Sequence, residues 1–252
     1  MAPTIPLSIY AFTLIANVLV CGLLLFGLFQ GLAAADLPQA RKTRFGLIAS
    51  IGVIGWLFLA AELARAGVFQ SGLDRVFPMI ALGTGLPIVF GLLAIRYSTS
   101  LRAVLQAIPI HRLIGVQVYR TLGFIFLIAT SANLIPGVFA LPAGIGDIAV
   151  GLLAPLVAWR AMKDPGRVRG TIMAWVILGI GDLILALTLG FLSSPGRFQM
   201  IALGEPNAGI SAFPLVMIPI FAVPVSILLH VAVISKLRAA RRSGSVAAPA
   251  VA

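Results

Sequence analysis

Four ionisable side chains interrupt stretches of this chain that are otherwise almost wholly apolar: Glu62, Arg120, Asp147 and Asp182. A charge at membrane depth costs about 2.5–3.5 kcal/mol on insertion scales, so it faces a partner or a water-filled cavity. Arg120, Asp147 and Asp182 together offer one guanidinium and two carboxylates. Two close carboxylates do not both ionise cheaply; one takes up a proton unless the arginine offsets its charge. That is chemistry for carrying protons or for holding a cationic solute. The plainer reading is an ion pair that only fixes helix packing. Asp147 has a second plain reading, because it follows Pro142-Ala143-Gly144. There it would sit in the first turn of a helix, where the dipole favours an anion.

The helical rise of about 1.5 Å per residue turns sequence position into depth. Counted from the inner end of each span, Arg120 lies roughly 12 Å in, Asp182 about 18 Å and Asp147 about 20 Å. The two aspartates therefore reach similar heights on neighbouring helices, within extension of the arginine. Glu62 comes out near 24 Å, close to the outer edge, and is a secondary candidate. By spacing it shares a helical face with Arg65, as a snorkelling ion pair would. Gln117 stands three residues before Arg120 and shares its face, while Tyr119 points elsewhere, toward a neighbouring helix. The expected solute or proton pathway is thus Arg120, Asp147, Asp182, Gln117 and Tyr119. For Gln117 the plainer role is an interhelical hydrogen bond.

The elements that must position these groups are seven long apolar runs, near residues 7–29, 46–65, 77–96, 112–133, 144–161, 170–192 and 212–235. They are too long and too evenly apolar for barrel strands, which alternate over roughly ten residues. The chain has 252 residues, of which 60% are hydrophobic and 10% charged, so it lacks the polar surface of a soluble domain. The predicted fold is all-α, a polytopic integral membrane helix bundle of about seven transmembrane helices. Fourteen of the 18 Lys and Arg follow spans one, three, five and seven. Arg65, Arg75 and Arg197 lie on the other side, and Arg120 lies within a span. Basic loops stay cytoplasmic. The expected orientation has the N-terminus outside and the C-terminus cytoplasmic. Residues 1–242 read as one transmembrane helical domain, and 243–252 as a disordered tail.

Several local patterns add detail. Gly144-Ile145-Gly146-Asp147 recurs as Gly179-Ile180-Gly181-Asp182 on adjacent spans of opposite direction. That suits a local inverted repeat, with coincidence in a glycine-rich chain as the plainer explanation. Gly27 and Gly31 form a G-x-x-x-G pair, which permits close helix approach or dimerisation. Leu134 to Gly146 carries no charge and reads as a re-entrant piece or a tight outer loop. Pro214, Pro219 and Pro224 predict bends in span seven.

Other chemistries find no support in the residues. The net charge of +11 lies in short loops, as orientation signals and contacts for anionic lipid, not as a nucleic-acid surface. Cys21 is the only cysteine and reads as a packed side chain. No H-E-x-x-H motif or cysteine cluster suggests a metal. His111 and His230 are placed at the inner ends of spans four and seven, as interfacial side chains rather than haem ligands. No catalytic residue, metal or cofactor is expected. The leading expectation is a small-solute or proton-coupled transporter, permease-like, in a bacterial cytoplasmic (inner) membrane. Its expected partners are membrane lipids, with a homo-oligomer or a membrane partner protein left open. Two other readings stay open: a non-catalytic membrane assembly or accessory subunit, and an intramembrane lipid-modifying enzyme using Glu62 and Arg65.

Overall fold

Proline punctuates this chain. The structure, a computed structural model, describes residues 5–72, 78–164 and 166–246. Pro6, Pro38 and Pro78 immediately precede α1 (Leu7–Ala34), α2 (Gln39–Arg65) and α3 (Met79–Tyr97). A short helix α4 (Thr99–Ala107) follows, capped by Ser98, whose Oγ accepts from the Leu101 N–H at 3.2 Å. Pro109 precedes α5 (Ile110–Gly115), which runs through a 3₁₀ stretch (Val116–Phe124) into α6 (Ile125–Ser131). Pro136 precedes α7 (Gly137–Lys163), which is followed by α8 (Arg169–Ser193) and finally α9 (Val223–Val246). A missing N–H costs nothing at a helix start, where that donor has no intrahelical acceptor.

Among the described residues every regular element is helical. Seven helical stretches are long and apolar enough to cross a membrane, including the composite Ile110–Ser131 and Ile218–Ala240. The predicted runs and the observed helices agree to within a few residues at most ends. One difference is at Leu134–Gly146. It is not a re-entrant piece: α6 ends at Ser131 and α7 already begins at Gly137, so the connection is a tight turn shorter than the expected stretch. Pro142 sits inside α7 in its second turn, where it withholds the hydrogen bond that Val138 O would otherwise accept. Asp147 consequently lies in the third turn of α7, and the helix-start explanation for it falls away. At the other end of the chain α9 continues to Val246, past the expected boundary at residue 243. Residues 247–252, the rest of the expected tail, lie outside the described residues, as does Arg75.

The 3₁₀ stretch and α7 form the centre of the bundle, with α8 on the other side of α7. Their backbones come very close at Gly151, where a Cβ would lie 2.6 Å from the Thr121 nitrogen. Only glycine permits that approach. Of the three prolines expected to bend span seven, Pro214 lies before its helical stretch, and Pro219 and Pro224 lie within it. A single π turn (Ile218–Ala222) precedes α9, and Pro224 has no N–H to give to the turn before it. Two carbonyls of this turn accept from side chains of other helices. Thr84 Oγ1 on α3 donates to Pro219 O at 2.8 Å, and Trp56 Nε1 on α2 donates to Ile220 O at 3.0 Å. The turn is therefore pinned by hydrogen bonds from two neighbours.

Candidate functional site

Arg120 is the hub of a buried polar cluster, and it is only 3% exposed. It sits on the 3₁₀ stretch between α7 and α8. Its Nε and Nη2 both lie 2.7 Å from Asp147 Oδ1 on α7. Nη2 also donates to Asp182 Oδ2 on α8. Nη1 donates to Gly179 O at 3.2 Å and approaches His230 Nε2 at 3.3 Å. Three helices therefore converge on one guanidinium, which is what a planar fork of five donors can satisfy. The carboxylates fit because glycine faces them. A Cβ at Gly146 would collide with the Asp182 carboxylate, and one at Gly123 would collide with Asp147.

His230 corrects the sequence reading. It is fully buried and does not lie at an interface. The misplacement follows from ending span seven near residue 235, when α9 runs eleven residues further. Arginine only donates, so His230 Nε2 accepts and the ring proton sits on Nδ1. Nδ1 has no hydrogen-bond partner among the described residues. The ring leans on Trp175, 4.7 Å between centroids, and Trp175 is itself anchored to Val150 O.

Tyr119 points away from Arg120, as its position predicts, and its hydroxyl lies 2.7 Å from Ser226 Oγ on α9. Gln117 is fully buried, and among the described residues neither its amide oxygen nor its nitrogen has a partner. The expected interhelical hydrogen bond from Gln117 is thus not formed. Glu62 is exposed and stands apart from the cluster, and among the described residues no ion pair joins it to Arg65. Gly31 packs against Val104 of α4 and Ile108 just after it, while a Cβ at Gly27 would meet nothing within 4 Å, so this pair serves contact within the chain at Gly31.

Two cavities border this cluster, and a third lies beyond Tyr119. The first, about 480 Å³, opens between α3 and α8 toward the end of the bundle where α1 starts. It is almost wholly apolar and reaches Asp147. The second, about 50 Å³, lies among α1, the 3₁₀ stretch and α9. That is room for a small number of water molecules. It is lined by Asn17, Tyr119, Arg120, Asp147 and Ser226. The third, about 490 Å³, opens toward the opposite end between α1, α4 and α5, with His111 and Arg112 among its residues. Asp147, Leu183, Ile218 and Val223 line both the first and the second cavity. Tyr119 and Val20 line both the second and the third.

Within this arrangement Asp147 and Asn17 have unused capacity. Both Arg120 contacts fall on Asp147 Oδ1, and no hydrogen bond from the described residues reaches Oδ2. Asn17 is 3% exposed; its Nδ2 donates to Thr13 O at 2.8 Å, while Oδ1 has no partner among the described residues. Sequence reasoning missed Asn17, Ser226 and His230. Asn17 carried a readable signal, a primary amide midway along an apolar run. Ser226 carried none, since a serine satisfies itself on its own helix, as Ser226 also does through Ala222 O.

Fold and cluster together define an all-helical protein of seven membrane-length apolar helices with a buried arginine–dicarboxylate centre. Residues 77–238 match the family described as a domain of unknown function, DUF8737, and the chain belongs to that family. The match spans all three charged members of the centre and begins after α1 and α2. No curated protein and no solved structure matches the chain.

Proposed function

We propose that this chain is an integral membrane protein of a bacterial cytoplasmic membrane, N-terminus outside and C-terminus inside, that moves protons or a small solute. The asymmetry of basic loops supports the orientation. Short loops and arginine in excess over lysine support the bacterial assignment. The observation that carries the transport reading is the order of three cavities along the bundle, with Asp147 bordering the first and second and Tyr119 the second and third. A merely structural ion pair needs no cavity on either side of it.

The roles follow from charge. One guanidinium against two carboxylates leaves one negative charge unless a proton or a cation binds. Asp147 is the acceptor, through the oxygen that Arg120 does not engage. Asp182 and Arg120 form the fixed pair that holds it in place. Asn17 and Tyr119 offer polar stations in the small cavity on the way to the opposite end. Tyr119, held by Ser226, borders the second and third cavities.

The test is proton flux into liposomes holding the purified full chain, read with an internal pH dye under an imposed membrane potential. Flux above protein-free liposomes is expected. Asp147→Asn loses it, and so does Asp182→Asn, because Arg120 then pairs wholly with Asp147. Flux equal to that of protein-free liposomes, or unchanged in both variants, ends the reading. In the first case a stoichiometric partner retained on purification would support an accessory subunit instead.

A further inference from the structure

The cavity between α3 and α8 combines two features that rarely occur together. Its walls are apolar side chains such as Ile88, Leu187 and Phe191, and it is about 480 Å³ in volume. Its floor includes a carboxylate, Asp147, with 16% of its side chain exposed and one oxygen unclaimed. An apolar groove alone accepts any hydrocarbon. A groove that ends on a cluster with one more carboxylate than cation discriminates by charge, because an ion taken out of water must meet its opposite. The formal charge of the Arg120–Asp147–Asp182 cluster, one cation and two anions, has the same sign as that floor.

We propose that this groove binds lipophilic organic cations, with the apolar body between α3 and α8 and the positive centre against Asp147. The inference rests on the reading above for the role of Asp147, and it names the class of solute. The groove runs between α3 and α8 to the end of the bundle where α1 starts, and an amphiphile enters it there. Gly85 is part of the α3 wall, and a Cβ there would meet nothing within 4 Å. A large side chain at Gly85 can therefore grow into the groove without disturbing the helix.

The test is binding of radiolabelled tetraphenylphosphonium to the full chain in lipid nanodiscs, with no gradient applied. Saturable binding is expected for the unaltered chain. Asp147→Asn weakens it by about tenfold or more, through loss of a desolvated charge contact. Gly85→Phe abolishes it by filling the groove, while Gly55→Phe, also a glycine with open space around it but on α2, leaves it unchanged. Tetraphenylborate, the same shape with opposite charge, does not compete. Absence of saturable binding overturns the proposal, as does equal competition by tetraphenylborate or full binding by Gly85→Phe. The readout is independent of proton flux measured without the phosphonium. Flux without binding removes only this inference, and binding without flux removes only the transport reading.

Discussion

Gly144-Ile145-Gly146-Asp147 on α7 and Gly179-Ile180-Gly181-Asp182 on α8 are identical in sequence and share one partner, Arg120. Their surroundings differ. The notch at Gly146 is filled by the Asp182 carboxylate, whereas the equivalent Gly181 faces open space. Gly179 lends its carbonyl to Arg120 and leaves room for the His230 ring, while Gly144 packs on Leu127. As a result the Asp182 side chain is 7% exposed and that of Asp147 is 16% exposed, with the latter open to two cavities. One motif thus supplies an acid seated in a glycine notch and an acid that borders two cavities. What separates them is the neighbour each glycine admits, which no repeat in the sequence encodes.

The sharpest way to test this is to remove what both segments share. Arg120→Ala leaves two buried carboxylates without a cation, and breaking a buried pair from one side costs about 3–5 kcal/mol. The expected result is a large loss of folded protein on heating in mild detergent. Arg120→Gln combined with Asp147→Asn and Asp182→Asn recovers most of that loss, because no charge is then buried. Unchanged thermal stability in Arg120→Ala would mean that water reaches both acids equally, and the contrast between them would vanish.

Gly146→Ala comes next. The added methyl meets the Asp182 carboxylate and forces either the acid or α7 to move. Overpacking of this kind costs about 1–3 kcal/mol. Thermal unfolding reads the loss, and proton flux reads whether displacing Asp182 disturbs Asp147. A stability equal to that of the unaltered chain would show that Asp182 is not clamped there. Tyr119→Phe probes the accessible side with a smaller effect, about 0.5–1.5 kcal/mol for one hydrogen bond. Ser226 keeps its bond to Ala222 O, so no buried group is stranded. A loss well above that range in the same unfolding measurement would make Tyr119 a packing element rather than a station on a route.

Much of this was legible in the residues. Apolar run length alone gives seven helices, and the rise per residue puts Asp147 and Asp182 at one height within reach of Arg120. Those inferences succeed because helix geometry is rigid and the charges are few. The reading failed where an element boundary mattered. Beginning span five at residue 144 turned two helical turns into a loop and gave Asp147 a false helix-start role. Ending span seven near residue 235 carried His230 to an interface. Gln117 failed for a different reason. Its face was correctly assigned, but whether a buried amide finds a partner depends on side chains from other helices, and here none arrives. The cavities were not legible at all, since they are gaps between helices that are far apart in sequence.

The smallest expected effect completes the comparison. Gly181→Ala adds a methyl where nothing lies within 4 Å, at the position that corresponds to Gly146 in the other segment. A helix-interior glycine replaced by alanine gains about 0.5–1 kcal/mol from reduced backbone freedom in the unfolded chain. A slight rise in unfolding temperature is therefore expected, with flux unchanged. The same substitution at equivalent places in one motif should act with opposite sign. Equal destabilisation at both positions would make the two segments true packing equivalents. Asp182 would then have as much claim as Asp147 to be the acid that meets the solute, and the groove between α3 and α8 would lose its reason for ending where it does.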